Sequence, residues 1–301
     1  MATTINSLDC ITTEYGTNLR ECILRLGQPE GVIKTPINWS LNLSTETFDA
    51  LSYVQGEIQK GNYVPFLESF GFTDNTGDNT YQESEDGNES FVRSPNPKFN
   101  VSYDQGMYYS KILQSHKSGK CGIIFVFKNN VFAFAESTDG TSLKPFRANH
   151  FSPTNFKLPT GSTSSMVSVD VQLRDAEEWN AKMTLIQPTT FDHTDINGFI
   201  DVDILLKTTP VDTDTSIQVR VHAKWNPDDS IALFSPEDFK ITGKTIDAVA
   251  YNADTELYTI SLTGTFDSGD TYNVKLNDGA YDSVLVETQL FKGKSETVTV
   301  A

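Results

Sequence analysis

No run of about 18 uninterrupted apolar residues occurs in the 301-residue chain, so nothing in it is long enough for a membrane-spanning helix. The opening MATTINSLDCITTEYG has neither the basic start nor the apolar stretch of a secretory signal, and the expectation is a soluble, unexported chain. Cysteine is scarce. Cys10, Cys22 and Cys121 are too few for a disulfide framework, although a single Cys10–Cys22 bridge stays open, and buried or idle thiols are the ordinary reading. Basic residues are outnumbered, 23 against 40 acidic, leaving a formal charge of -17 that repels nucleic-acid phosphates and anionic lipid. That balance argues against a protein that reads DNA or coats a membrane.

Motifs that carry chemistry are missing as well. There is no GxSxG elbow, phosphate-binding loop, dinucleotide fingerprint, HExxH or CxxC. His116, His150, His193 and His222 lie far apart, and His222 falls on the expected polar face of a strand. Asp201 and Asp203 share a strand face in FIDVDILL, and Asp212 with Asp214 repeats the spacing. Such pairs can bind a metal or share a proton, but on the outer face of a sheet they solubilise it and discourage edge pairing. In TDNTGDNTYQESEDGNES (73–90) a calcium loop starting at Asp74 would have Thr76 third, and Asn79 where the sharp turn needs glycine. No catalytic residue, metal ligand or cofactor is expected, and the chain does not read as an enzyme; a glycan hydrolase using paired carboxylates is the enzyme alternative.

What is present describes a globular β protein. Hydrophobic residues at 38% and charged residues at 21% suit a folded domain, and the length allows roughly three quarters of the unfolded surface to be buried. Ser44 or Thr45 can cap a helix near 45–60 whose buried face is Phe48, Leu51, Val54 and Ile58, closed at Gly61-Asn62. A second helix is expected over Gln105–Ser118 with Met107, Tyr108, Ile112 and Leu113 inward. GIIFVF (122–127) and VFAFAES (131–137) flank Lys128-Asn129-Asn130, a hairpin whose asparagines tolerate positive backbone angles. Val167 to Leu173 alternates strictly, and DAEEWNAKM (175–183) starts a short helix at Asp175 before a strand around Met183–Ile186.

The stretch from Gln187 to Gly198 reads as a linker, and the charge shifts across it: 21 acidic and 15 basic residues in 1–190 against 19 and 8 in 191–301. Beyond it, alternating strands around Ile217–Val221, Tyr258–Leu262 and Tyr272–Leu276 are separated by turn signals such as Asn277-Asp278-Gly279. The expected fold class is mainly β. An α+β N-terminal domain over 1–190, an antiparallel β-sandwich or barrel with one flanking helix and a polar excursion at 73–105, precedes a cysteine-free immunoglobulin-like β-sandwich over 199–301.

The order of helix, long polar excursion, hairpin-rich sheet and late alternating strand resembles the tail-tube or major tail proteins of tailed bacteriophages. YQESEDGNESFVRSPNPKFNVSYDQGMYYSKILQSH (81–116), FVFKNNVFAFAESTDG (125–140) and SVDVQLRDAEEW (168–179) look like structural proteins of phages infecting Bacteroidetes. EDFKITGKTIDAVAYNADTELYTISLTGTFDSGDTYNVKL (237–276) looks like the immunoglobulin-like modules appended to virion proteins. The resemblance implies a virion protein made in the host cytoplasm, a homo-oligomeric and commonly hexameric ring, contacts with other virion proteins, and DNA passing without specific binding. It places the 73–105 excursion at a subunit contact with Phe91, Phe99 and Tyr103 as anchors, and it supplies no catalytic residue and no cofactor. The C-terminal module would project outward, to touch host-surface glycans or only to decorate. A head-decoration, ring or collar protein and a carbohydrate-binding adhesin stand beside this reading.

Overall fold

The computed structural model describes residues 3–5, 26–43, 45–46, 48–86, 88–138, 140–162 and 164–300. Strands make up 47% and helices 11%, so the mainly β class expected from the sequence is the class observed. Cys10, Cys22 and Ser44 lie outside the described residues, and Cys121 is a free, buried thiol. The chain divides into two compact units, Met1–Ile196 and Asn197–Ala301.

In chain order the first unit runs β1 (Thr3–Ile5), β2 (Pro29–Thr35), β3 (Leu41–Asn42), α1 (Leu51–Gln59), β4 (Val64–Phe66), β5 (Gly71–Asp74), β6 (Thr80–Glu83), β7 (Glu89–Arg93), β8 (Lys98–Tyr103) and α2 (Gly106–Ser115). It continues with β9 (Cys121–Phe127), β10 (Val131–Glu136), β11 (Ser142–Lys144), β12 (Phe146–Pro153), β13 (Val167–Leu173), α3 (Ala176–Asn180) and β14 (Met183–Gln187). The hub is β9, whose run CGIIFVF is buried on both faces, the reason it does not alternate. Along one side β2 pairs with its whole length. Along the other, β10 takes Phe125–Phe127 and β12 takes Ile123–Cys121, so the sheet forks into a β10–β14–β1 arm and a β12–β13–β8–β5 arm. Every pairing in this sheet is antiparallel. Between β9 and β10, Asn129 and Asn130 both take positive φ, 68° and 60°, as the hairpin needs.

Forking gives β9 and β10 two different cores. Ile123, Phe125, Ala133 and Ala135 face one that includes Phe99, Val101, Tyr103, Phe146, Val169 and Val171, with Trp179 of α3 set against Phe99, Phe125 and Phe146. Phe132 and Phe134 face the other way, edge-on to Phe48 just before α1. Chain 66–70 curls the two ends of the sheet together. The Tyr103 hydroxyl donates to Phe66 O at 2.9 Å, Ser69 N to Glu30 O at 2.7 Å and Phe70 N to Ser102 O at 2.8 Å.

Helix α1 begins later than expected. Its N-cap is Ala50, without a side-chain cap, and Phe48 sits in the preceding turn rather than on the helix; Gly61 at φ 76° closes it as expected. The early start fails because the Asp49 carboxylate faces the far end of the unit, accepting from Thr189 N at 2.5 Å and Thr189 Oγ1 at 2.8 Å. That same clasp corrects the linker reading of Gln187–Gly198. Phe191 is buried beside Phe48 and Phe132, and Asp192 caps a 3-10 turn, His193–Asp195, with Thr194 N donating to it at 3.0 Å. Pro188, Phe191 and Ile196 are buried and tie this stretch to the first unit, and the boundary between the units falls within it, after Ile196.

The second unit runs β15 (Phe199–Leu206), β16 (Ser216–Ala223), β17 (Asn226–Ser230), β18 (Phe239–Ile241), β19 (Thr245–Asn252), β20 (Leu257–Thr263), β21 (Thr271–Tyr272), β22 (Val274–Leu276), β23 (Val284–Val286), β24 (Gln289–Lys292) and β25 (Val298–Thr299). One seven-stranded sheet has the order β19–β20–β16–β15–β24–β23, with β17 beside β16. Opposite, β18 pairs with β22, and Leu276 N to Gly293 O and Ser295 N to Val274 O tie β22 to the chain leaving β24. Within the larger sheet the run β15–β16–β20–β19 has the order of the four-strand sheet of an immunoglobulin-like sandwich. The first strand also pairs in parallel with β24 at Phe199–Asp201. The alternating apolar positions, Ile217, Val219, Val221, Tyr258, Ile260, Leu262, Tyr272, Val274 and Leu276, all enter one core. Burial pushes the Tyr258 and Tyr272 phenols up to about 12.

Candidate assembly surface

Strands β6 and β7 form a two-stranded sheet of their own, and every described residue in them is exposed. A loose loop would not hold that shape. The neck is fixed by Asn75 N donating to Lys98 O at 2.7 Å and Lys98 N to Thr76 Oγ1 at 3.1 Å; near the tip Ser84 N donates to Asn88 O at 2.8 Å. Tyr81 stands opposite Phe91, their rings edge-on with centroids 6.0 Å apart, and Val92 occupies the register shift beside them. Phe91 is 59% exposed. Exposed aromatic and β-branched side chains on a projection outside the first unit's core are the usual anchors of a protein contact.

Of the three expected anchors, only Phe91 lies on this surface. Phe99 is 1% exposed and Tyr103 0%, so neither offers area to a partner. The reason is that the polar excursion ends before residue 98. β8 is an interior strand between β13 and β5, and its alternate residues Phe99, Val101 and Tyr103 point into the core. Its other face is polar but paired: Asn100 Nδ2 donates to Asp170 Oδ1 at 2.8 Å, and the Ser102 and Ser168 hydroxyls lie 2.9 Å apart. Burial raises the Tyr103 phenol well above its ordinary value, which keeps it a donor to Phe66 O.

Helix α2 presents the second exposed apolar group. Its buried stripe is Ser110 and Leu113 with Tyr109 and Ile112 half-buried, while Met107 and Tyr108, expected inside, are exposed. Residues 107, 108, 112 and 113 and residues 109, 110, 112 and 113 both satisfy helical spacing; contact with β12 and β13 selects the second. Beside it, Phe70 is exposed where the chain enters the edge strand β5.

Two polar clusters escaped the sequence reading. The Glu178 carboxylate, 1% exposed, accepts from Arg147 Nε at 2.6 Å, Lys144 Nζ at 2.8 Å and Arg147 N at 3.0 Å, which anchors α3 to the start of β12. His193 lies between Glu30 on β2, 2.5 Å from Nε2, and Asp192, 2.9 Å from Nδ1. In the second unit, His222 was expected to face water, but it is buried where β17 lies alongside β16, with Nδ1 3.1 Å from Ala223 O. Asp201 and Asp203 stand near Lys292 and Lys224 at 3.5 and 3.9 Å, ordinary solvated pairs. Asp212 and Asp214 accept backbone N–H groups in turns. Among the described residues no cluster of histidine, cysteine and carboxylate side chains has the geometry to hold a metal, and no helix is long and apolar enough to cross a membrane. No protein-family model, curated protein or solved structure matches the chain.

Proposed function

We propose that the chain is a bacteriophage virion structural protein of the tail-tube type, a non-enzymatic subunit whose first unit self-associates into rings around a DNA conduit. The observation that carries the reading is the β6–β7 hairpin: an exposed two-stranded projection with Tyr81, Phe91 and Val92 on it, set on a densely packed antiparallel wall. Heterologous contacts of one surface patch with a different patch on the next copy generate rings or open stacks. A net charge of -17 suits a wall past which DNA slides without sticking. The cyclic symmetry would be sixfold on the resemblance given above, with other virion proteins capping the stack.

Replacing residues 77–96 with a short Gly-Asn turn tests the reading, because Asn75 and Lys98 already face each other across the neck. The expected result is a folded monomer where the native chain gives rings or tubes of uniform width by negative-stain microscopy and solution mass. Tubes from the shortened chain would overturn the hairpin's role; binding only to a preformed particle would move the protein to head decoration or a collar.

A second reading rests on Trp225, 57% exposed at the β16–β17 turn. An exposed indole is a stacking platform for a sugar ring, and saturable glycan binding by the chain, lost in Trp225→Ala, would favour an adhesive role for the second unit.

A further inference from the structure

Among the described residues of the first unit, two exposed apolar groups have unlike charge around them: the hairpin tip has only carboxylates, whereas α2 carries lysines along and beyond it, with Glu68 and Asp104 at its N-terminal end. On the hairpin, Tyr81, Phe91 and Val92 sit among Glu83, Glu85 and Glu89. On the outward face of α2, Met107 and Tyr108 sit one turn from Lys111, with Lys117 and Lys120 following the helix. In a chain with a 17-charge acidic excess, residues 105–135 hold four lysines and no acid, whereas 73–90 hold six acids and no base. Lys111, Lys117 and Lys120 are exposed and take part in no ion pair among the described residues, and the same holds for the hairpin carboxylates. Glu83 pairs directly across the ladder from Glu89, a like-charge juxtaposition that weakens an isolated hairpin and is relieved by a cation brought against it.

We infer that the hairpin of one copy docks on the α2 face of the next, with Tyr81 and Phe91 against Met107 and Tyr108 and the hairpin glutamates against Lys111, Lys117 and Lys120. The occupant of each surface is a second copy of this chain. Two acidic copies repel at a distance, so association needs a local patch of opposite sign, and the helix supplies it. The two patches are different, so the contact is head-to-tail and leaves a free hairpin at one end and a free helix at the other until a ring closes. The inference deepens the tube reading and names the counterpart of its hairpin.

The test uses the full chain in three forms: Lys111→Glu/Lys117→Glu/Lys120→Glu, Glu83→Lys/Glu85→Lys/Glu89→Lys, and both sets together, which restores the native net charge. All six positions are exposed, and circular dichroism with thermal melting confirms folding. Sedimentation velocity across concentration is expected to show each single set weakening self-association by about a hundredfold and the combined chain regaining it. Association of the native chain is also expected to fall as salt rises. A native chain that stays monomeric, single sets that associate as the native chain does, or a combined chain that stays apart would overturn the contact. Microscopy separates this from the wider reading: charge-dependent association without tubes keeps the contact and removes the tail-tube role, while tubes indifferent to both sets keep the role and remove the contact.

Discussion

Phe91 and Phe99 stand eight residues apart on strands consecutive in the chain but in different sheets, β7 and β8, and they meet opposite fates. β8 carries Phe99 between β13 and β5, with Phe72, Phe125 and Trp179 around the ring; β7 carries Phe91 with only Tyr81 opposite it. Local sequence does not distinguish them, since both lie in strand-forming stretches next to polar residues. What differs is the number of strands that flank each one. A two-stranded ribbon has no third strand or helix to bury its aromatics, so a hairpin that keeps them exposed has area to give a partner. The difference is one of environment: the packed wall buries its aromatics, and the two-stranded projection leaves Tyr81 and Phe91 exposed.

The sharpest way to test that difference is Phe99→Ala, expected to cost about 3–5 kcal/mol through the cavity left beside Trp179, read as a lower urea midpoint of the first unit. A cost below about 1 kcal/mol would mean the wall is loosely packed. Next comes Glu178→Ala, which leaves Arg147 and Lys144 without the carboxylate that joins them. A loss of about 2 kcal/mol is expected, below that of a fully buried pair because both cations are partly in water. An unchanged melting profile would remove this network from the wall's stability.

A smaller effect should follow the Asp49 clasp. Donation from Thr189 N, opposed by desolvation, holds this carboxyl below its usual range. A depressed folded-state value contributes stability that is full above the unfolded value of about 4 and is lost as pH falls through the folded value. The stability gap between the native chain and Asp49→Asn should therefore be flat near neutrality and shrink in acid; a gap that widens there would reverse the assignment. Smallest of all is Phe91→Ala, expected to move the urea midpoint by no more than about 0.5 kcal/mol while weakening self-association. Equal losses of stability for Phe91→Ala and Phe99→Ala would erase the comparison.

Much of the architecture was legible because it is written locally. Runs such as CGIIFVF, the strict alternation of Val167–Leu173, the paired asparagines and the Asp175 cap on α3 each specify their element within a few residues. The same holds for the alternating strands of the second unit. The site was legible only in part. The resemblance places Phe91, Phe99 and Tyr103 together on the 73–105 excursion; only Phe91 is exposed, and nothing near residue 98 marks the entry of a strand into the interior. Met107 and Tyr108 were placed inside because helical spacing allows two faces. The Glu178 network and the Asp49 clasp join residues 31 and 140 positions apart, beyond any local pattern.

That clasp also sets an order of events during synthesis. Asp49 cannot find Thr189 until 140 further residues have been added, and at a ribosomal pace of roughly 5–20 residues per second that wait lasts about 7–28 s. Phe48, in the turn that precedes α1, can meet Phe132 and Phe134 once β10 is made, and its contact with Phe191 comes last. The hairpin and α2 are made earlier, before the wall that ends at β14 is complete. The late clasp therefore marks when the first unit is finished.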